Sequence, residues 1–205
     1  MAQITNGVRA VLSNPVVYSL FQRIMGAHRV RSMFIDEFVR PRARINVLDI
    51  GCGPADILAY LPDVDYQGFD ISADYIARAR TRFGQRGTFH CGELTSSDVD
   101  RLPPFDVVLA IGVLHHIGDE GVLELLRLAF RALKPGGRLV TLDPVLEPGQ
   151  HPIARFLVRR DRGQNVRTRD GYTALASAVF DAPRVEVRHK RGIPYTHCVM
   201  ECTRR

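Results

Sequence analysis

Long apolar runs and paired cysteines are scarce in this sequence. No apolar stretch approaches the roughly 20 residues that a membrane-spanning helix needs, and the first residues, MAQITNGVRAVLSNP, contain no apolar core typical of a secretory signal. We therefore expect no membrane insertion. The cysteines are scattered, which predicts structural thiols in a reducing, cytoplasmic setting and no metal site. The four cysteines are Cys52, Cys91, Cys198 and Cys202.

Lysine is also scarce, since Lys134 and Lys190 are the only two among 28 basic residues. Residues 1–150 contain 16 basic and 17 acidic residues, whereas residues 151–205 contain 12 basic and 5 acidic ones. This excess of arginine has two interpretations: a solvated basic surface, or an anionic partner for the last quarter of the chain. Aromatic residues are not interleaved with these arginines, as a surface that stacks on bases would require, so a nucleic-acid partner is not favoured.

Short apolar runs alternate with helical patterns between Ile45 and Leu142. This alternation predicts an α/β fold in which helices cover both faces of a parallel sheet. The predicted strands are INVLDI, VDYQGFDI, GTFHCG, FDVVLAIG and GRLVTLD. The predicted helices run from Pro54 to Leu61, from a cap at Ser72 to Gly84, and from a cap at Asp119 to Leu133.

Three further segments flank this core within a predicted single domain, residues 1–205. Residues 1–42 are expected to form a helical lid, with two short helices within 14–40. Residues 144–170 read as an insertion on the acceptor side of the sheet. Residues 171–205 contain a helical pattern, YTALASAVF, and two alternating runs, RVEVRHK and YTHCVMEC. We expect those two runs to form an antiparallel pair on the sheet edge.

An aspartate and a glycine-rich turn lie at the end of the first predicted strand, in VLDIGCGPADIL. Gly51 and Gly53 permit a tight turn at which a ligand can approach the backbone. Asp70 ends the second strand, 19 residues after Gly51, where a carboxylate can accept hydrogen bonds from ribose hydroxyls. Because ligands bind beyond the carboxyl ends of parallel strands, these residues predict a site for a ribose-containing ligand.

The charge around this turn distinguishes two classes of ligand. A dinucleotide fingerprint has a third small residue at the sixth position, where this chain has Asp56. Asp56 and Asp49 would compete with phosphates for the start of the following helix. S-adenosylmethionine suits the site better, because it has a sulfonium and an ammonium group and no phosphate. We expect Asp49 to orient its amino-acid end, directly or through water.

Five segments within residues 45–143 together resemble the class I S-adenosylmethionine-dependent methyltransferases: VLDIGCGPADIL, GFDIS, GEL, FDVVLAIGVLHHI and LKPGGRLV. The resemblance implies a doubly wound, Rossmann-like sheet of seven mostly parallel strands with an antiparallel last strand. It also implies S-adenosylmethionine as cofactor and S-adenosylhomocysteine as product. The implied cofactor residues are Asp49, Gly51, Cys52, Gly53, Asp70, Ile71, Glu93, Leu94, Ala110 and Ile111.

Within that set, the resemblance implies that Glu93 meets the adenine amino group and that Leu94 lies beside the ring. Ala110 and Ile111 would lie along the methionine part of the cofactor. The chain departs from the family at Ala55, where a third glycine is frequent. Because one methyl group is a small change, we expect weaker or slightly shifted cofactor binding at most.

Polar residues at the predicted ends of the fourth and fifth strands are candidates for acceptor chemistry. His115 is the preferred catalytic base, with His116 on the acceptor side, and Asp143 opens onto the same edge. The alternatives are a histidine that hydrogen-bonds the backbone and an aspartate that caps the turn at Pro144. Phosphoethanolamine methyltransferases are similar in pairing a lid tyrosine with a histidine of this loop. This likeness makes Tyr18 a further candidate, and core packing of Tyr18 is its alternative.

Arginines in the insertion after the fifth strand predict contacts with a carboxylate or phosphate of the acceptor. They are Arg162, Arg167 and Arg169, and the alternative is a basic surface loop. The fourth strand does not end in an N/D-P-P-Y type loop, and it has no acid there for a metal-dependent catechol-type site.

These features predict metal-independent methyl transfer to a small polar acceptor. The expected acceptor atom is oxygen rather than nitrogen. A saccharide or a phosphorylated metabolite is the expected kind of acceptor. One alternative is an RNA methyltransferase that uses the arginine-rich last quarter of the chain for phosphates. The other is a cofactor-binding protein without transferase activity. The sequence contains no indication of oligomeric state.

Overall fold

A computed structural model describes residues 32–160, 163–189 and 195–205 of the chain. Tyr18, Arg162 and the first predicted lid helix lie outside these residues, so the lid and the single-domain boundaries stay predictions. The described strands are β1 (Asn46–Ile50), β2 (Asp65–Asp70), β3 (Thr88–Cys91), β4 (Phe105–Ile111), β5 (Leu133–Pro144), β6 (Arg184–His189) and β7 (Thr196–Thr203).

These strands form one seven-stranded sheet in the order β3-β2-β1-β4-β5-β7-β6. Strands β1 to β5 pair in parallel, whereas β7 pairs antiparallel with both β5 and β6. The predicted Rossmann-like sheet with an antiparallel last strand is confirmed. The two C-terminal runs pair with each other as expected, and β6 is the edge strand because β7 inserts between β5 and β6.

The helices are α1 (Ala73–Phe83), α2 (Ser96–Arg101), α3 (Asp119–Ala132), α4 (Pro152–Arg159) and α5 (Arg169–Ser177). Helix α1 begins as predicted, with the Ser72 hydroxyl accepting a hydrogen bond from the Tyr75 amide. Helices α2 and α4 were not predicted. Helix α2 begins with a capping box in which Thr95 and Asp98 bond each other's backbone amides. None of these helices is long and apolar enough to cross a bilayer within the residues described.

The helix predicted from Pro54 to Leu61 is instead a short 3-10 helix, Asp56–Tyr60. Ala55 has a left-handed backbone (φ 55°, ψ 35°), which cannot continue a regular helix from Pro54. At the start of α3 the N-cap is Gly118, without a side-chain cap, and Asp119 lies in the first turn. Its carboxylate there interacts favourably with the helix dipole.

Helices bury apolar side chains against both faces of the sheet. Helices α3 and α5 cover one face, where Leu126 and Tyr172 are at most 1% exposed. Helix α1 and the π-helical turn Ile35–Val39 cover the other. Strand β4 is buried from both sides and lies beside β1. The carboxyl ends of β1 and β4 therefore meet at the centre of one sheet edge, which is where ligands bind in such sheets.

All four cysteines are free thiols. Cys52, Cys198 and Cys202 are buried, whereas Cys91 is exposed. Burial raises the pKa of Cys198 and of Cys202 to about 12. Because the thiolate is the reactive form, these two cysteines are inert at neutral pH, as structural thiols should be.

Candidate cofactor and acceptor site

The glycine turn after β1 is held against β2. The amides of Gly51 and Cys52 both donate to the Phe69 carbonyl, at 2.8 and 3.0 Å. Gly51 (φ 71°) and Gly53 (φ 55°) have left-handed backbones that favour glycine. A Cβ on Gly51 would lie 2.6 Å from Cγ2 of Val113, whereas one on Gly53 would have no atom within 4 Å. The turn is therefore packed at Gly51 and open at Gly53.

Asp70 lies at the end of β2 beside this opening, as the ribose prediction requires. Its Oδ2 accepts a hydrogen bond from the Gly53 amide at 2.9 Å, and its Oδ1 accepts one from the Ser72 amide at 2.8 Å. Each carboxylate oxygen can accept a further bond, because it has more than one lone-pair site. Ile71 follows with 51% of its surface exposed and offers an apolar contact next to the carboxylate. These residues fit a nucleoside with free ribose hydroxyls.

Asp49 lies below the turn and is only 3% exposed. Its Oδ2 accepts a hydrogen bond of 2.6 Å from the phenol of Tyr66 on β2. Burial raises the pKa of Asp49 to about 7, the Tyr66 hydrogen bond lowers it in part, and the charge of Asp70 raises it further. Sequence reasoning found Asp49 and did not find Tyr66. The available signal was the alternation of β2, which puts Tyr66 and Gly68 on one face.

The residues predicted for the adenine and methionine parts cluster around the same edge. Gly92 donates from its amide to the Asp70 carbonyl at 2.9 Å, which brings the exposed Glu93 next to the end of β2. Leu94 is buried at 8% exposure, and Ala110 and Ile111 end β4. These placements are compatible with the predicted roles, which stay predictions.

Asp56, whose charge predicted a ligand without phosphate, is in an ion pair with Arg82 of α1. Its charge is therefore partly balanced within the protein, and the repulsion expected toward a phosphate is weaker than predicted from the sequence. The buried carboxylate of Asp49 is the acidic group that lies directly beneath the glycine turn.

His115 and Asp143 form a buried pair at the ends of β4 and β5. Nδ1 of His115 lies 2.7 Å from Oδ1 of Asp143, which also accepts a hydrogen bond from the His115 amide at 3.2 Å. The two residues are 6% and 1% exposed. The ring of His116 packs beside that of His115 with 4.0 Å between centroids. Two residues predicted separately as candidates therefore form one unit, and Asp143 bonds the histidine.

The guanidinium of Arg167, which was predicted to contact the acceptor, forms hydrogen bonds within the protein. It donates to the carbonyls of Leu114 and Ile117, each at 2.8 Å, and to that of Asn165 at 3.0 Å. It also forms an ion pair with Asp119 at 2.7 Å. Arg167 thus clamps the short 3-10 helix Leu114–His116, which contains both histidines.

The backbone of the same insertion covers His115. The Asn165 amide donates to the His115 carbonyl at 3.0 Å. A Cβ added to Gly163 would overlap the His115 ring. Sequence reasoning missed Gly163 and Asn165, since they lie 48 and 50 positions after His115 and no local pattern relates them to it. Arg169 is exposed and lines a surface groove along β6 with Glu147 and Arg188, away from the glycine turn.

Residues 48–139 match a family model described as "Methyltransferase domain". The 27-O-demethylrifamycin SV methyltransferase of Amycolatopsis mediterranei is 38% identical over 114 residues, which cover 52% of this chain and 41% of that protein. Acetylserotonin O-methyltransferase of Mus musculus is 33% identical over 171 residues, covering 75% and 43%. The chain thus spans less than half the length of these curated relatives.

Solved structures show the same fold. The S-adenosylmethionine-dependent methyltransferase SibL has a TM-score of 0.69 at 21% identity, with 95% of this chain and 61% of SibL covered. Mitomycin 7-O-methyltransferase MmcR has a TM-score of 0.63 at 21% identity, covering 95% and 60%.

The sheet order, the glycine turn and the acid at the end of β2 define a Rossmann-like methyltransferase fold. Residues 48–139 form a methyltransferase domain, and its sequence and fold are those of the class I S-adenosylmethionine-dependent methyltransferases. S-adenosylmethionine is the cofactor of this family, as predicted. The roles predicted for Gly51, Gly53, Asp70 and Ile71 in binding it stay predictions.

Proposed function

We propose that this protein transfers a methyl group from S-adenosylmethionine to an oxygen atom of a small polar acceptor, with His115 as the general base. The observation that supports this most is the 2.7 Å contact between His115 Nδ1 and Asp143 Oδ1. The pair is close to the cofactor turn, because Val113, two residues before His115, packs against Gly51. When bound, the cofactor supplies a methyl group on a sulfonium that needs no further activation.

In this proposal Asp143 orients the ring of the histidine and selects its tautomer. A carboxylate that accepts the proton on Nδ1 leaves the lone pair of the imidazole on Nε2, and it stabilises the imidazolium that forms when Nε2 takes a proton. Burial excludes water, which strengthens this electrostatic interaction. These are the requirements for removing a proton from a hydroxyl group during methyl transfer.

The pair also favours oxygen over nitrogen. A neutral amine attacks through its lone pair and can lose its proton afterwards, whereas a hydroxyl becomes a good nucleophile as its proton is removed. Relatives named acetylserotonin O-methyltransferase and mitomycin 7-O-methyltransferase are consistent with an oxygen acceptor. An anionic acceptor has less support, because Arg167 bonds the protein and only Arg169, among the described arginines of that prediction, faces solvent.

A cofactor-binding protein that transfers no methyl group is the alternative with specific support. Aclacinomycin 10-hydroxylase RdmB of Streptomyces purpurascens is 31% identical over 77% of this chain and 46% of that protein. The [4+2]-cyclase SpnF has a TM-score of 0.62 at 18% identity, covering 86% of this chain and 81% of SpnF. Both are named for other reactions. An RNA acceptor and a cytoplasmic location stay predictions from the sequence.

The test compares methyl transfer with cofactor binding. Methyl-labelled S-adenosylmethionine is incubated with a small-molecule extract, and S-adenosylhomocysteine affinity is measured by calorimetry. We expect Asp143→Asn and His115→Gln to lower label transfer by about 10²- to 10⁴-fold, with S-adenosylhomocysteine affinity within about threefold. His189→Ala, an exposed histidine at the end of β6, is the matched control.

Three outcomes distinguish a catalytic pair from a structural pair and from a protein that binds the cofactor without methyl transfer. Label transfer that survives in both variants would exclude the pair as the base. Equal loss of transfer and cofactor binding would mean that the pair only supports the fold. Cofactor binding by the unaltered protein without transfer to any fraction of the extract would favour the alternative.

A further inference from the structure

The phenol of Tyr66 is built into the floor of the cofactor site. Tyr66 is 2% exposed, and its hydroxyl donates to Oδ2 of Asp49 at 2.6 Å. Within the described part of the chain, Oδ2 is the Asp49 oxygen for which a hydrogen bond is found. The second carboxylate oxygen therefore remains available to a ligand at the glycine turn directly above.

Two glycines make room for the Tyr66 ring. A Cβ on Gly68 would lie 2.9 Å from Cε1 of Tyr66, and one on Gly87 would lie 2.8 Å from Cδ1. Real Cβ atoms do not approach other atoms so closely, so the ring occupies space that any other residue at these two positions would fill. The Phe89 ring, with its centroid 5.8 Å away, packs against the same phenol.

Among the residues that the structure describes, no cation acts on the charge of the Asp49 carboxylate. The groups that act on the charge of Asp49 are its burial, the Tyr66 hydroxyl on β2 and the carboxylate of Asp70 at the end of β2. Cys52 of the glycine turn lies between them, with Sγ also 2.9 Å from the Gly68 Cβ position, and burial keeps it a neutral thiol. An ammonium group arriving at the turn would supply the missing positive charge.

We infer that Tyr66 is a positioning residue for cofactor binding: it fixes one oxygen of Asp49 so that the other meets the ammonium group of the cofactor, and binding ionises Asp49. The proton leaves the Asp49 carboxyl for the solvent, the ammonium keeps its own protons, and an ion pair forms. The inference rests on the cofactor part of the proposed function and is independent of the acceptor and of His115. With the pKa of Asp49 at about 7, a large fraction of the free protein carries this proton at neutral pH.

Calorimetry with S-adenosylhomocysteine measures the number of protons released on binding. Titrations at pH 7 in phosphate and in Tris, which differ in ionisation enthalpy, should give heats that differ in proportion to the protons released. We expect proton release at pH 7 and less release at pH 8, because the raised pKa of Asp49 leaves fewer carboxyls protonated as the pH rises. Affinity should rise with pH between 6 and 8.

Tyr66→Phe is the diagnostic variant, because it keeps the ring in its slot and removes only the hydroxyl. Loss of the hydrogen bond to the charged carboxylate should weaken S-adenosylhomocysteine binding about tenfold at pH 7. The same variant should release more protons than the unaltered protein, and the affinity difference should narrow toward pH 8. Asp49→Asn should bind weakly at every pH without releasing protons. Thermal unfolding checks that both variants are folded.

Heats that are independent of the buffer, or equal affinities for Tyr66→Phe and the unaltered protein at pH 6, 7 and 8, would overturn the inference alone. Failure of S-adenosylhomocysteine to bind the folded protein at any pH would overturn the cofactor assignment together with the inference. A loss of affinity in Tyr66→Phe that is constant across pH would reduce Tyr66 to a structural role and would also overturn it.

Discussion

Backbone angles of single residues decide the shape of the cofactor turn. Gly51, Gly53 and Ala55 all have positive φ, at 71°, 55° and 55°. For a residue with a Cβ, this conformation costs roughly 1–2 kcal/mol. At Ala55 the burial of the methyl group contributes about 0.8 kcal/mol, which partly offsets the cost of the left-handed backbone. A glycine there would therefore change the free energy of unfolding little.

The two glycines should respond differently to alanine. Gly53→Ala adds backbone strain of roughly 1–2 kcal/mol and places a methyl group in the open space of the ligand. We therefore expect a small loss of stability and a loss of S-adenosylhomocysteine affinity of at least about tenfold. Gly51→Ala adds the same strain and an overlap with Val113, so it should lower the free energy of unfolding by more.

Urea denaturation and calorimetry measure the two effects. The double variant Gly51→Ala with Val113→Ala, compared with Val113→Ala alone, separates strain from overlap. Equal stability losses for Gly51→Ala and Gly53→Ala would contradict the packing described at Gly51.

Sequence patterns predicted the residues of the site better than their partners. Asp49, the two glycines and Asp70 could be found because the turn and the strand that precedes it are contiguous in the chain. The partners of the predicted residues could not. Tyr66 reaches Asp49 from a neighbouring strand, and Arg167 meets Leu114 from 53 positions away. Such contacts depend on strand register and on the path of the insertion, which local periodicity does not encode.

Among the elements, the short 3-10 helix Leu114–His116 depends most on a distant side chain. Arg167 donates to the carbonyls before and after the histidines, and it is 11% exposed. Arg167→Met would leave these carbonyls without their charged donor, so we expect a loss of about 2–4 kcal/mol in the free energy of unfolding. Methyl transfer should fall as well, because the histidine turn loses its clamp.

Asp119→Asn is the matched control for this clamp. Asp119 is 73% exposed, so its ion pair with Arg167 should contribute about 1 kcal/mol or less. Urea denaturation compares the two variants. A loss in Asp119→Asn as large as that in Arg167→Met would mean that the ion pair, rather than the carbonyl bonds, holds the turn.

Two helices differ between the sequence prediction and the structure, and local backbone features explain both differences. Helix α2 was missed although Thr95 and Asp98 have capping-box spacing, because only six residues follow and they show no apolar period. The predicted Pro54–Leu61 helix matched its apolar period, but the left-handed Ala55 interrupts it. The period reports which face is buried, whereas backbone angles decide whether a regular helix forms.

For the molecule as a whole, ion pairs engage three arginines of the last quarter of the chain, Arg167, Arg184 and Arg188, and several arginines that precede it. Glu201 on β7 interacts with Arg40, Arg138 and Arg184, and Arg188 on β6 pairs with Glu37. These arginines fasten the segment before β1 and the edge strand to the sheet. An anionic macromolecule would have to compete with these internal carboxylates for the paired arginines.

The pH dependence of stability should be dominated by one buried acid between pH 4 and 7. Because the pKa of Asp49 is raised from 3.8 to about 7, the folded form holds its proton more tightly than the unfolded form does. The stability from this group is fully present below pH 3.8 and is lost as the pH rises through 7. By linkage this loss is about 2–4 kcal/mol in the absence of cofactor.

Asp49→Asn should flatten this slope, as urea denaturation at pH 4, 5, 6 and 7 would measure. His90, whose pKa burial lowers, acts in the opposite direction below pH 6.5, and it does so equally in both proteins. The difference between the pH slopes of the two proteins therefore reports the contribution of Asp49 alone. A slope that is unchanged in Asp49→Asn would contradict the raised pKa.

The two open borders of the sheet, β3 and β6, have consequences for self-association. Strand β3 has four residues, too short to template a long ladder with a second molecule. Strand β6 alternates valine with Glu186 and Arg188, so an incoming chain would have to strip water from charged side chains along its length. The charges that secure this border to the protein also protect the protein from ordered aggregation through it.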